Sequence, residues 1–207
     1  MQAEFYLNPH NFSAQDLIGK METLSPAIAI PEQVHGNKVQ YIDSEGDYSE
    51  VDGLITDMPG ITLVLKVADC VPVYIFDAEK QLIALVHSGW RGTVHSIVPN
   101  VIRKFIEFGS QVENIHLFLG PAICKNCFEV GENVAEQFED TAKSLQSNGK
   151  WLADLHQQII FQCLAEGVFR NHINASSICT FEDTACHSYR RDGENAGRMI
   201  AAMRMYT

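Results

Sequence analysis

Six short runs rich in β-branched and aromatic residues crowd the first half of this chain, at 27–30, 38–43, 53–56, 61–67, 71–76 and 82–86. Runs of that length and composition, separated by a few polar or turn-forming residues, read as strands. Asp57-Met-Pro-Gly60 reads as a turn between two of them. Helical periodicity comes later. Thr93 can cap a helix over 94–108 that Gly109 ends, with Ile97, Val101, Ile102 and Phe105 on its apolar stripe. A second helix is expected over 133–138 and a third over 152–169, the latter with Leu155, Ile159, Ile160, Cys163 and Leu164 on one face. Strands are expected at 115–119 and 177–181. The tail from Arg198 to Tyr206 fits either helix or strand on its own residues. Strands gathered early with helices outside them predict a layered α+β fold of mixed sheets, not a regular doubly wound sheet. With 207 residues, one domain spanning 1–207 is expected, large enough to bury a core without disulfides or structural metals. Polar breaks fall at 43–50 and 141–150, the second being the one place where a boundary could lie.

Composition excludes several functions. The formal net charge is −11, which argues against nucleic acid as a partner. No basic amphipathic stretch suits an anionic membrane, and no run approaches the ~20 apolar residues of a membrane span. The start, MQAEFYLNPHNF, lacks the pattern of a signal peptide, so a cytoplasmic location is expected, with six reduced cysteines. No G-x-G-x-x-G or Walker sequence is present. The residues carry no signature of an oligomeric state.

Chemistry concentrates between Val67 and Gly92, in VADCVPVYIFDAEKQLIALVHSGWRG. Cys70 and His87 stand at the two ends of an apolar, strand-like stretch that needs neither. Upstream, His35 ends another such run, just before Gly36. Side chains at neighbouring strand ends can converge, and two imidazoles with a thiolate make a three-ligand zinc site with a fourth position open for water. Zinc lowers the pKa of that water to about 7. Spacing alone leaves the plainer alternative open: hydrogen-bonded histidines and a core cysteine.

A series of blocks occurs in one order: QVHG at 33–36, DGLITD at 52–57, ADCVPV at 68–73, HSGWRG at 87–92, LGPAI at 119–123 with FEVG at 128–131, and SYRRDG at 188–193 followed by GR at 197–198. Together they resemble the laccase-domain (YfiH-like) family, whose members are called polyphenol oxidases and purine nucleoside phosphorylases. The resemblance runs from about residue 30 to the end of the chain. It implies an α/β/β/α sandwich, a strand in the tail from Arg198, and a metal, zinc with copper as the alternative, on His35, Cys70 and His87. It also implies phosphorolysis of purine nucleosides, deamination of adenosine, or both, with a nucleoside and phosphate as small-molecule partners. One departure is visible. The family's N-terminal TR-x-GG-V-S block has no counterpart in residues 8–26, NPHNFSAQDLIGKMETLSP, which removes an anion-binding arginine.

Other residues carry alternatives. Arg91, Arg190 and Arg191 are candidate anion holders, because the guanidinium fork matches phosphate oxygens. Arg91 could equally stack on Trp90 or pair with a carboxylate, and one of Arg190 and Arg191 is expected to meet Asp192 or solvent. Glu129 is a candidate proton shuttle or a helix-start carboxylate. Tyr189 could stack on a purine or fill the core. Asp52 and Asp69 could orient ligand imidazoles, although Asp69 next to Cys70 reads as structural. Cys124-Lys-Asn-Cys127, with Cys179, Cys186 and His187, suggests a second metal site, against the favoured reading of a loop with free thiols. His95, His116, His156 and His172 read as surface or satisfied core residues. Three competing functions remain: a multi-copper phenol oxidase, for which eight scattered histidines are too few and too dispersed; a cysteine hydrolase, including peptidoglycan-precursor editing, with Cys70 as nucleophile and His87 as base; and a nucleoside sensor without turnover.

Overall fold

In the computed structural model, residues 1–6 and 27–206 are described; the departure at 8–26 lies outside them. Among the described residues fourteen strands and five α-helices follow in order: β1 Gln2–Tyr6, β2 Ile28–Pro31, β3 Val39–Tyr41, β4 Gly46–Tyr48, β5 Gly53–Thr56, β6 Thr62–Val67, β7 Val71–Asp77, β8 Leu82–Ser88, α1 Trp90–Val94, α2 Ile97–Glu107, β9 Ile115–Leu119, β10 Glu129–Val130, α3 Glu132–Ala135, β11 Lys143–Leu145, β12 Trp151–Ala153, α4 Leu155–Ala165, β13 Ile173–Ala175, α5 Tyr189–Asp192 and β14 Met199–Arg204.

Two mixed sheets form the frame. One runs β13-β9-β7-β8-β5-β3, the other β1-β14-β6-β2-β4, and a small third sheet runs β10-β12-β11. Period-two alternation along β7 and β8 explains the layers. Val71, Val73, Ile75, Ala84 and Val86 pack with Val101, Ile102 and Phe105 of α2 and Ile159 and Cys163 of α4. Tyr74, Ile83 and Leu85, on the other face, meet Leu63, Leu65 and Val67 of β6 and Met199, Ala201 and Met203 of β14. The intervening residues Val64, Ile200 and Ala202 form a smaller buried cluster on the outer face of the second sheet. The outermost helical layer expected on that side is not among the described residues.

The sequence reading of this region needs three corrections. The helix expected over 94–108 begins only at Ile97, after the separate α1 that ends at Val94, because Pro99 cannot donate to the carbonyl of His95 and its ring would collide with it. The chain turns instead at Ser96, with φ of 61°, and the free His95 carbonyl accepts from Asn37 at 2.8 Å. The helix expected over 152–169 begins at Leu155, where the Asp154 carboxylate caps Gln157 N–H at 3.0 Å. The strand expected at 177–181 is absent. Ile173–Ala175 pairs in parallel with β9 instead, and 177–181 retains one bridge, Ala122 to Cys179. The tail is a strand, β14, paired antiparallel between β1 and β6. The polar break at 141–150 holds the β11–β12 hairpin.

Candidate active site

The two large sheets meet at the short 68–70 connection, where β6 of one sheet passes into β7 of the other. Cys70 lies in that connection, His87 ends β8, and His35 lies in the loop after β2. Their ligand atoms all lie within 4.8 Å of one another, and the two imidazole rings stand edge to face with centroids 4.8 Å apart.

Asp52, fully buried just before β5, organises the trio. Its carboxylate accepts from the backbone N–H groups of Val34, His35 and Gly36 at 3.2, 2.9 and 2.7 Å. It also meets His87 Nδ1 at 2.8 Å. One carboxylate thus holds the backbone of His35 and the ring of His87, and leaves His87 Nε2 as the nitrogen that could ligate a metal. His35 has φ of 59°, a left-handed conformation that these three N–H contacts stabilise. Gln33 closes the same loop onto β6: its amide donates to Lys66 O at 2.8 Å and accepts from Lys66 N at 2.9 Å.

Asp69 has a different task. Its φ is 80°, and its buried carboxylate accepts from Thr180 Oγ1 at 2.6 Å, Ser188 Oγ at 3.0 Å and Arg190 N at 2.7 Å. It anchors the SYRRDG turn beside Cys70 and orients no imidazole.

Electrostatics favour a charged thiolate. Burial pushes the Cys70 thiol up, but His87 and His35 pull it down further, to about 6. Burial pushes His87 down, while Cys70 and Asp52 lift it to about 9. Two imidazoles and a readily ionised thiol are a donor set that suits zinc. Close approach at Gly89 supports the same fit. A Cβ there would lie 2.9 Å from Cys70 Sγ and 3.3 Å from His35 Cδ2. Gly89 has φ of −74°, which alanine adopts freely, so the constraint is space, not backbone. Gly89→Ala is therefore expected to spread the ligands, lower metal occupancy and cost about 1–3 kcal/mol. Elemental analysis beside thermal melts checks it.

The trio opens into a cleft of about 890 Å³ whose walls include Lys66, Trp90, Arg91, Phe128, Tyr189, Arg190 and Arg198. Tyr189 is 54% exposed and so fills no core. Arg91 lies with its guanidinium 4.5 Å from the centre of the Trp90 ring. The two arginines of SYRRDG diverge on the helical turn α5. Arg190 lines the cleft, 5.3 Å from the centre of the Phe128 ring, and donates to Glu129 O at 2.8 Å. Arg191 turns away, donating to Cys186 O at 2.7 Å and to Asp192 at 2.9 Å. Its donors are spent on the backbone of 180–186, so the sequence-based anion role does not suit it. Glu129 does not line the cleft; Lys150 Nζ holds its carboxylate at 2.6 Å, which removes the group from the place a proton shuttle would need. Lys66 and Arg198 were not singled out from sequence as anion holders. The GR pair at 197–198 was a visible signal for Arg198; Lys66, inside an apolar strand, had none.

Comparisons with known proteins place the chain in a family. The family described as multi-copper polyphenol oxidoreductase laccase matches residues 13–206. A purine nucleoside phosphorylase of Clostridium acetobutylicum is 37% identical over 177 residues, which cover 82% of this chain and 73% of that protein. An adenosine deaminase from an unknown prokaryotic organism is 34% identical over 194 residues, 85% of this chain and 74% of that one. The crystal structure of YlmD from Geobacillus stearothermophilus superposes with a TM-score of 0.88 at 27% identity, covering 100% of this chain and 89% of the other. YfiH of Bacillus licheniformis gives a TM-score of 0.88 at 26% identity, covering 97% and 85%. The chain, with its ligand trio at the seam of two mixed sheets, belongs to the laccase-like family of multi-copper polyphenol oxidoreductases, the YfiH group.

Proposed function

We propose that this protein is a zinc-dependent purine nucleoside enzyme that cleaves adenosine- or inosine-type nucleosides with phosphate, deaminates adenosine, or does both. The observation that carries the reading is one cleft that combines a metal-ligand trio, flat aromatic walls and several cations. Relatives named purine nucleoside phosphorylase and adenosine deaminase support it.

His35, Cys70 and His87 would hold the metal. When bound, it supplies Lewis-acid polarisation and a water made acidic enough to act near neutral pH. Asp52 keeps the His87 ring in the tautomer with Nε2 free. Tyr189 and Phe128 offer faces against which a purine base can stack. Arg190, Lys66 and Arg198 surround the cleft with positive charge suited to phosphate, and they offer a local substitute for the arginine missing from 8–26. Arg91, fixed over Trp90, adds a further charge near the ligands. In phosphorolysis a phosphate oxygen bonds to C1′ as the C1′–N bond breaks, and the base leaves with a proton. In deamination water replaces the 6-amino group, which leaves as ammonia. We place the reaction in the cytoplasm; the six cysteines, all free thiols, support this. Among the described residues no helix is long and apolar enough to cross a membrane.

The metal-loaded protein is to be incubated with adenosine, with and without phosphate, and products separated by chromatography. Adenine with ribose 1-phosphate, or inosine with ammonia, is the expected outcome. No turnover of any purine nucleoside by protein with a filled cleft would sink the proposal. Arg190→Ala is expected to raise KM for phosphate roughly 10- to 100-fold, the worth of a hydrogen bond to a charged group, and to leave phosphate-free deamination nearly unchanged.

One observation favours a second reading. Asp52, His87 and Cys70 form a carboxylate–imidazole–thiol chain with the thiol lowered to about 6, as a cysteine nucleophile needs. That enzyme would work without metal, with His35 only helping to lower the thiol. Phenol oxidation by several coppers finds less support: among the described residues, one metal-capable cluster contains histidine.

A further inference from the structure

The chain carries a second cluster of metal-ligating groups outside the cleft. Cys124 and Cys127 come from the loop after β9, Cys179 and Glu182 from the segment after β13. Their ligand atoms all lie within 4.8 Å of one another. The two thiols of the C-x-x-C pair are 3.6 Å apart, and Cys127 Sγ is 3.4 Å from Glu182 Oε1. The spacing is C-x₂-C on one segment and C-x₂-E on the other, two short turns facing each other. Cys186 and His187 are not part of the cluster, so the fourth ligand is one that sequence spacing alone did not suggest.

Backbone amides face two of these sulfurs. Cys179 Sγ accepts from Cys124 N–H at 3.3 Å, and the N–H groups of Phe181 and Glu182 also point at it. The N–H of Asn126 points at Cys124 in the same way. In each half, then, an N–H two residues beyond the cysteine faces its sulfur.

We propose that Cys124, Cys127, Cys179 and Glu182 form a closed zinc site that ties the loop after β9 to the segment leading into SYRRDG. Three sulfurs and one oxygen fill a tetrahedral shell and leave no open position, so the site is structural. Soft thiolates select zinc over magnesium or calcium. Binding releases the thiol protons still held. The tie has a clear reach. Ile123 and Phe128, flanking the C-x-x-C loop, line the cleft. Thr180, next to Cys179, donates to Asp69 beside Cys70 and gives its carbonyl to Arg191. Zinc here would brace the cleft wall from behind, and the proposal is independent of what the cleft catalyses.

Cys70→Ala removes a cleft ligand and leaves this cluster alone, so it is the background for the test. The variant is purified under reducing conditions from zinc-supplemented cells, and metal is counted by elemental analysis. About one zinc per chain is expected, with loss of that zinc when Cys124→Ser or Cys179→Ser is added. Glu182→Ala, at an exposed side chain, keeps the fold intact and provides the second reading: cobalt exchanged into the Cys70→Ala protein should give an intense thiolate charge-transfer band, with ligand-field bands that shift in Glu182→Ala. A zinc-free Cys70→Ala protein that remains folded and gives no thiolate band with cobalt would overturn the proposal. So would an intact mass showing Cys124 joined to Cys127 or Cys179 as a disulfide under the same conditions. Neither outcome bears on nucleoside turnover, which parent protein reports separately.

Discussion

Cys70→Ala is expected to lose the cleft metal and purine nucleoside turnover together. The thiol is the softest donor of the trio and the one group that all three flanking elements enclose: His35 from the loop after β2, His87 from β8 and Gly89 from the cap of α1. Removing it leaves two imidazoles, one of them exposed, to hold the ion. Losing an outer partner of a ligand lowers metal affinity or activity by about 10–100-fold, and losing the ligand itself should exceed that. Elemental analysis should show the variant with about one metal ion per chain fewer than the parent, whatever the cysteine cluster behind the cleft contains. His35→Ala separates the two chemical readings. In a metal enzyme it falls with Cys70→Ala in both metal and turnover. In a cysteine hydrolase His35→Ala keeps part of its activity, because Cys70, His87 and Asp52 remain in place while the thiol loses one of the two imidazoles that lower it, and activity survives chelation. Retained activity in His35→Ala with an empty cleft would therefore move Cys70 from ligand to nucleophile.

Asp52→Ala is expected to be the most destabilising single change at the site. It removes the acceptor for three backbone N–H groups and for His87 Nδ1 in one step, at a fully buried position. Breaking a buried charged pair by deleting one partner costs about 3–5 kcal/mol. In a domain of this size that is a fall in Tm on the order of 10 °C. His35 also loses the contacts that hold its left-handed backbone, so the loop bearing it should loosen. Asp52→Asn keeps the shape and some of the hydrogen bonds. It can still accept from the loop amides, but it presents a neutral group to His87. A smaller loss of stability is expected there, with metal affinity down about 10–100-fold. Thermal melts and metal titrations on both variants check the pair of effects. Equal behaviour of the alanine and asparagine variants would show that charge on Asp52 matters little.

Much of the frame was legible because strand-forming residues come in uninterrupted local runs. β5 and β9 have the predicted bounds, and β6, β7 and β8 lie within a residue or two of theirs. The errors occur where one residue's backbone chemistry overrides a continuous apolar pattern: Pro99 delays the start of one expected helix, and the Asp154 cap sets the start of another. The ligand residues were visible as chemistry out of place in apolar runs, and the family blocks joined them. Their supports were less visible. Gln33 pairing with Lys66 and Asp69 holding Thr180, Ser188 and Arg190 connect segments up to 121 positions apart, and no local pattern records such a match. The second cluster shows the same limit. C-x-x-C was plain to see, but a glutamate among 26 acidic residues is marked only by position in space.

On its own, the sequence determined which stretches become strands and which residues can bind a metal, because backbone preference and donor chemistry are properties of each residue and its near neighbours. The tertiary structure decided which of those residues act together. The β6–β7 connection carries Cys70 from one sheet to the other beside His35 and His87. Asp52 aligns two ligands from inside the core. Helix α5 sends Arg190 into the cleft and Arg191 away from it. Each of these results from distant segments packing at a few ångströms, where burial strengthens electrostatics.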